Sequence, residues 1–170
     1  MALSPRTRRL AVFVHVTSSV GWLGAVAATV ALAIAGASST DPQTVRAAYP
    51  ALEVIGWYAL VPLSIASLAS GLVVSLGGRW GVFEHYWVVT KLLINVAASG
   101  VLLLYMQTLD GLARTAASAA DLEAVRSYSP VLHAGGALAL LLAATVLSIY
   151  KPRGRTRYGW RKQRRRTSSV

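Results

Sequence analysis

The sequence predicts an all-α fold, a four-helix transmembrane bundle, from three observations. Over 170 residues the mean hydropathy is +0.52 and only 14% of residues are charged, too few to cover a soluble domain of this size. Four apolar runs, spanning about 10–36, 51–77, 86–106 and 131–150, are separated by short polar connections. At about 1.5 Å of rise per residue, runs of this length match a hydrocarbon core of roughly 30 Å, and none alternates with the period of two that a β-barrel requires. The chain accordingly divides into a basic lead (1–9), the bundle (10–150) and a basic tail (151–170).

The first run carries no charge from Leu10 to Gly36 apart from a titratable His15. Ala35-Gly36-Ala37 resembles a signal-peptide cleavage site, but the apolar stretch before it far exceeds the roughly 7–15 residues of a signal core. Within the run lies His15 to Gly24, H-V-T-S-S-V-G-W-L-G. At about 100° per residue, His15, Ser19 and Trp22 share one helical face. Gly21, Gly24 and Ala28 share another, where small side chains let a neighbouring backbone approach.

Thr40-Asp41-Pro42 is a helix-start signal, and Pro50 opens the second apolar run. Pro62 is expected to kink that run, and Glu53, Trp57, Ser64, Ser67 and Gly71 fall on one stripe of it. Gly77-Gly78-Arg79 ends it, and the link to His85 carries Trp80, Glu84 and a His85 expected to be solvated. The third run places Trp87, Lys91, Asn95, Ala98, Leu102 and Tyr105 along one seam. Ser118 to Arg126 reads as a short amphipathic helix capped by Ser118. The fourth run begins near His133 and Gly135-Gly136 and stops at Lys151-Pro152. The tail has no apolar periodicity, and disorder is expected beyond Tyr158.

Loop charge sets the expected orientation. With both termini cytoplasmic, the inner side holds Arg6, Arg8, Arg9, Arg79, Lys91 and the nine cations from Lys151 onward, fourteen of seventeen; Arg46, Arg114 and Arg126 lie outside. The positive-inside rule favours that arrangement, in a bacterial plasma membrane, with Trp80, Tyr86, Trp87 and Tyr150 as an inner aromatic belt. The net charge of +11 is concentrated next to this membrane exit. Arg161, Lys162, Arg164, Arg165 and Arg166 therefore point to anionic lipid headgroups, with nucleic acid the lesser reading.

Ionisable side chains inside a span are costly and mark candidate sites. Topology puts His15 and Lys91 at similar depth on the inner side, with Trp22 and Asn95 on their faces, as a pocket for haem or another small ligand. Against this stand a Lys91 that snorkels to the headgroups and a His15 bonded to a backbone carbonyl or Ser19. Glu53 and His133 lie at similar depth on the outer side and are expected to pair. Cysteine is absent, which excludes disulfides, iron–sulfur clusters and thiolate ligation within the chain. Three scattered histidines offer no metal-binding spacing, and no phosphate loop, nucleophile elbow or catalytic carboxylate pair is present.

H-V-T-S-S-V-G-W-L-G-A-V, H-Y-W-V-V-T-K-L-L and Y-K-P-R-G together resemble an actinobacterial family of four-helix integral membrane proteins with no assigned activity, over nearly the whole chain. The first-helix histidine followed seven residues later by tryptophan, then x-Gly, is similar to the haem-dependent protoporphyrinogen oxidase HemJ and to CopD-type copper-resistance membrane proteins. The HemJ resemblance implies His15 as a haem ligand and a role for Lys91, although further polar residues of that oxidase are missing. The leading functional expectation is an accessory or structural subunit of a membrane assembly, meeting a membrane-protein partner or its own copies. The alternative is a haem-b-binding redox protein using His15, and the third a small oligomeric transporter.

Overall fold

The computed structural model describes residues 4–78, 81–118 and 125–167. Four helices are long and apolar enough to cross a membrane: α1 (Pro5–Ser38), α2 (Pro42–Leu76), α3 (Tyr86–Ser118) and α4 (Ser129–Tyr150). A fifth, α5 (Arg157–Thr167), follows in the tail. Among the described residues there is no strand, only an isolated bridge between His85 and Arg155.

The helix ends follow from local chemistry. Ser4 caps α1, its Oγ accepting from the Thr7 N–H at 3.2 Å, with Pro5 in the first turn. The Asp41 carboxylate accepts the Gln43 and Thr44 N–H groups, each at 3.1 Å, and the Thr44 hydroxyl at 2.7 Å. These donors hold the Asp41 carboxyl below the usual aspartate range, the Thr44 hydroxyl first among them. Lys151 ends α4 in the left-handed region, at φ 44°.

Two helices are longer than the apolar runs that announce them. α2 begins at Pro42 and carries Pro50 inside it. α3 continues past Met106 to Ser118 because Leu109, Ala113 and Ala116 keep the buried three-to-four spacing while Gln107 and Thr108 face outward. These two extensions pack on each other, and Val45, Tyr49, Leu52, Met106, Leu109 and Ala116 form one apolar cluster. The expected Ser118–Arg126 helix is not started by Ser118, which ends α3; residues 119–124 lie outside the described residues, as do Arg79 and Trp80.

Where a kink is expected at Pro62, the helix carries a π turn, Gly56–Leu60, just ahead of it. The Val61 N–H reaches back five residues to the Gly56 carbonyl. One extra residue in that turn shifts the buried stripe, which advances by fours through Leu52, Gly56, Leu60 and Ser64. Glu53 and Trp57 are thereby separated from the Ser64–Ser67–Ser70 face: Trp57 is exposed, and its Nε1 donates to Asp110 at 3.0 Å.

The spans form a ring in which α1 touches α2 and α4, and α3 touches α2 and α4. α1 and α3 are diagonal, and so are α2 and α4. One end of the bundle, here called proximal, carries the start of α1 and the end of α4; the distal end carries the end of α1 and the end of α3. Trp22, Val26, Leu60, Ala98 and Leu141 make a second apolar cluster at mid-depth. Proximal to it the interior turns polar, with Ser18, Ser64, Ser67 and Ser70 buried.

The tail is ordered through Thr167, correcting the expectation of disorder beyond Tyr158. Its anchor is Glu84 in the α2–α3 link. The Thr156 N–H donates to the Glu84 carbonyl at 3.1 Å, the Thr156 hydroxyl donates to the Phe83 carbonyl, and Lys162 Nζ lies 2.5 Å from the Glu84 carboxylate. Gly159 is required at the contact, since a Cβ there would overlap the Glu84 carbonyl oxygen. Glu84 and His85 are consequently buried, so His85 is a packed link residue and not a solvated one. Arg161, Arg164 and Arg165 remain exposed on α5, Lys162 is held by Glu84, and the Arg166 side chain lies outside the described set.

Candidate functional site

The proximal polar interior opens into a cavity of about 150 Å³ lined by His15 of α1, Ser67 and Gly71 of α2, and Trp87, Lys91 and Asn95 of α3. His15 Nδ1 lies 3.1 Å from the Ser67 carbonyl and 3.3 Å from Ser70 Oγ. A carbonyl only accepts, so Nδ1 is the donor, and a neutral ring keeps its lone pair on Nε2. Nε2 has no hydrogen-bond partner among the described residues and is not sealed from the cavity. Gly71 makes this pose possible, because a Cβ there would come within 3.0 Å of His15 Cε1. Ser19 does not bond His15; its Oγ pairs with Ser67 Oγ at 2.8 Å.

Lys91 enters from the diagonal helix. Its ammonium lies 5.8 Å from the centroid of the Trp87 ring and forms no ion pair among the described residues. Asn95 Nδ2 donates to the Lys91 carbonyl at 2.9 Å, which turns the amide back along its own helix. Among the described residues the cavity lining contains a cation, an imidazole and hydroxyls, and no carboxylate.

Trp22 is not part of this cavity. His15 and Trp22 share a face, but seven residues separate them by about 10 Å along the axis, so the indole reaches the mid-depth cluster instead. The expected Glu53–His133 pair does not form either. Those residues stand on α2 and α4, which lie diagonally across the ring with no close backbone approach. His133 Nδ1 instead donates to the Ser129 carbonyl at 2.9 Å, and its ring stacks on Tyr105 at 3.9 Å between centroids. The α1 small-residue face also divides: Gly21 packs on Leu63, while Gly24, Ala27, Ala28 and Ala31 point away from the bundle.

The cavity does not fit haem. A space of about 150 Å³ is the size that takes a benzene ring, and a porphyrin is several times wider. The His15 ring also packs closely at Gly71, where a Cβ would come 3.0 Å from Cε1 and 3.7 Å from Nε2. Among the described residues no group of three or more His, Asp or Glu is placed to hold a metal ion. Comparison with family models, with curated proteins and with solved structures finds no match.

What the cavity can do is hold a small anion. A half-buried ammonium without a carboxylate partner is favoured by any anion that reaches it, far more than a solvated lysine would be. Sequence reasoning missed Ser67, Ser70 and Gly71 as the groups that set the imidazole. Their signal was the serine spacing in the second run, obscured by the register shift of the π turn.

Proposed function

We propose that this chain is an accessory subunit of a bacterial plasma-membrane assembly, with both termini cytoplasmic, that binds a small monovalent anion in its proximal cavity. Four apolar helices support membrane residence, and fourteen of seventeen cations at one end support the orientation. The observation that carries the binding role is the Lys91 ammonium in a cavity whose described lining holds no acid; the neutral His15, with its lone pair on Nε2, shapes the wall and gives no hydrogen bond to an anion. An outward α1 face of Gly24, Ala27, Ala28 and Ala31 supports docking on a neighbouring helix, since small residues allow close backbone approach. The exposed Arg161, Arg164 and Arg165 suit anionic headgroups at the same membrane surface.

The size of the space favours carboxylates of a few carbons, up to a single ring. The test is thermal unfolding of the purified full chain in detergent, at constant ionic strength, with chloride exchanged for acetate, propionate or benzoate. Saturable stabilisation is expected, and at a hundred times Kd it amounts to about 2.7 kcal/mol. Lys91→Gln removes it and Lys91→Arg retains part of it. A melting temperature indifferent to every anion, or a benzoate shift that persists in Lys91→Gln, refutes the assignment.

A further inference from the structure

A second cavity lies distal to the first, between α3 and α4, with α1 behind it. Its volume is about 310 Å³, within the range of small-molecule sites and about twice the space that holds benzene. Trp22 forms its inner wall, and the stacked Tyr105 and His133 rings stand at its distal side. The facing helices contribute Ala98 and Gly136, side chains of the size that usually lets two membrane helices close on each other. Here they do not close: a Cβ placed on Gly136 meets nothing within 4 Å. Leu132 and Leu140, both exposed, rim the opening on the outer surface of the bundle, where the hydrocarbon of a bilayer would lie.

One polar group in this apolar space is set for recognition. His133 Nδ1 donates to the Ser129 carbonyl, which fixes the tautomer of the neutral ring and leaves Nε2 as an acceptor. Tyr105, the adjacent polar group, spends its hydroxyl proton on Ser129 Oγ at 2.9 Å. A ligand head that satisfies Nε2 must therefore donate, which selects a hydroxyl over a carbonyl or an ether. Flat aromatic walls on two sides suit a ring body.

The geometry points to a binding site for a lipid-soluble phenol, its ring between Trp22 and the Tyr105–His133 stack and its hydroxyl donating to His133 Nε2. The site is separate from the proximal anion cavity and does not depend on it.

The test uses the full chain in phosphatidylcholine nanodiscs and a diazirine-bearing alkylphenol as photolabel. Labelling is expected on α3 and α4 peptides containing Leu102–Leu109 and Leu132–Leu140. Excess 4-pentylphenol is expected to compete, and 4-pentylanisole, which has no hydroxyl proton, to compete about tenfold less well. Gly136→Leu fills the space without a clash and is expected to abolish labelling with the helical melt intact. His133→Phe keeps the stacked ring and is expected to remove the preference for phenol over anisole. Equal competition by anisole in the native chain overturns the proposal, since the space then takes any apolar chain, phospholipid tails included. Labelling that survives Gly136→Leu overturns it as well, by placing the label elsewhere.

Discussion

Substituting Gly159 by alanine separates the docking of the tail from the formation of its helix. Intrinsic propensity favours alanine by about 1 kcal/mol, so an isolated α5 would become more helical. In the folded chain the new Cβ would overlap the Glu84 carbonyl oxygen, and backbone must move apart by roughly 1 Å, more than the hydrogen bonds there tolerate. Three contacts then open: Thr156 N–H to the Glu84 carbonyl, the Thr156 hydroxyl to the Phe83 carbonyl, and Lys162 to the Glu84 carboxylate. Each is worth about 1 kcal/mol; the ion pair is not worth more, since the Lys162 side chain is 39% exposed. The three share Glu84 and its neighbour and are not additive, so the joint loss is about 2 kcal/mol, or roughly thirtyfold in the docking equilibrium. Amide hydrogen exchange at Thr156, whose N–H is bonded only across the docking contact, is expected to accelerate by that factor. Glu84→Gln removes the charge alone and should give about fivefold, diminishing with salt. Unchanged or slower exchange at Thr156 in Gly159→Ala would refute the docking geometry.

Reporters fused at Met1 and Val170 are expected to read cytoplasmic, and one inserted beside Ser118 external; a split between the two ends refutes the orientation. Gly56→Ala is expected to destabilise the bundle by about 1 kcal/mol, because its Cβ would stand 2.6 Å from Met106 Cε, the flexible end of a buried side chain that must move aside. Adding Met106→Ala should then cost less than Met106→Ala does alone, and additive thermal shifts would count against the contact. At Asp41 the folded carboxyl is held below its unfolded range, so its contribution is present above the unfolded pKa and is lost as pH falls through the folded one. The melting-temperature advantage of the native chain over Asp41→Ala should accordingly shrink on acidification below the ordinary aspartate range. An advantage that grows there refutes the cap.

Helix number and most boundaries could be read from the chain because each rests on local chemistry: long charge-free runs, an Asp-Pro start and a Lys-Pro stop. The lengths of α2 and α3 were harder to read, since beyond the apolar runs burial depends on a partner helix. Val45 and Ala116 look unremarkable until they meet in one cluster. Depth along a span was legible and adjacency around the ring was not. Equal depth puts His15 and Lys91 at one cavity, but it does nothing for Glu53 and His133 across the same kind of diagonal, where His133 instead bonds Ser129 and stacks on Tyr105. For Trp22 a shared face concealed a difference in depth. The tail was misjudged because its order comes from one acid, Glu84, more than seventy residues away in sequence and adjacent only after folding.

The π turn in α2 makes the length of that helix a setting of direction. Removing a single residue from Gly56–Leu60 would restore a plain α-helix and turn everything proximal to it by about 100°, with a shift of about 1.5 Å. Ser64, Ser67 and Ser70 would swing out of the interior, and Gly71 would no longer lie under the imidazole. Such a deletion would leave composition, hydropathy and span count almost untouched while dismantling the anion cavity. Conversely, a helix of this kind can acquire a polar interior by gaining one residue at a point remote from the serines that come to line it.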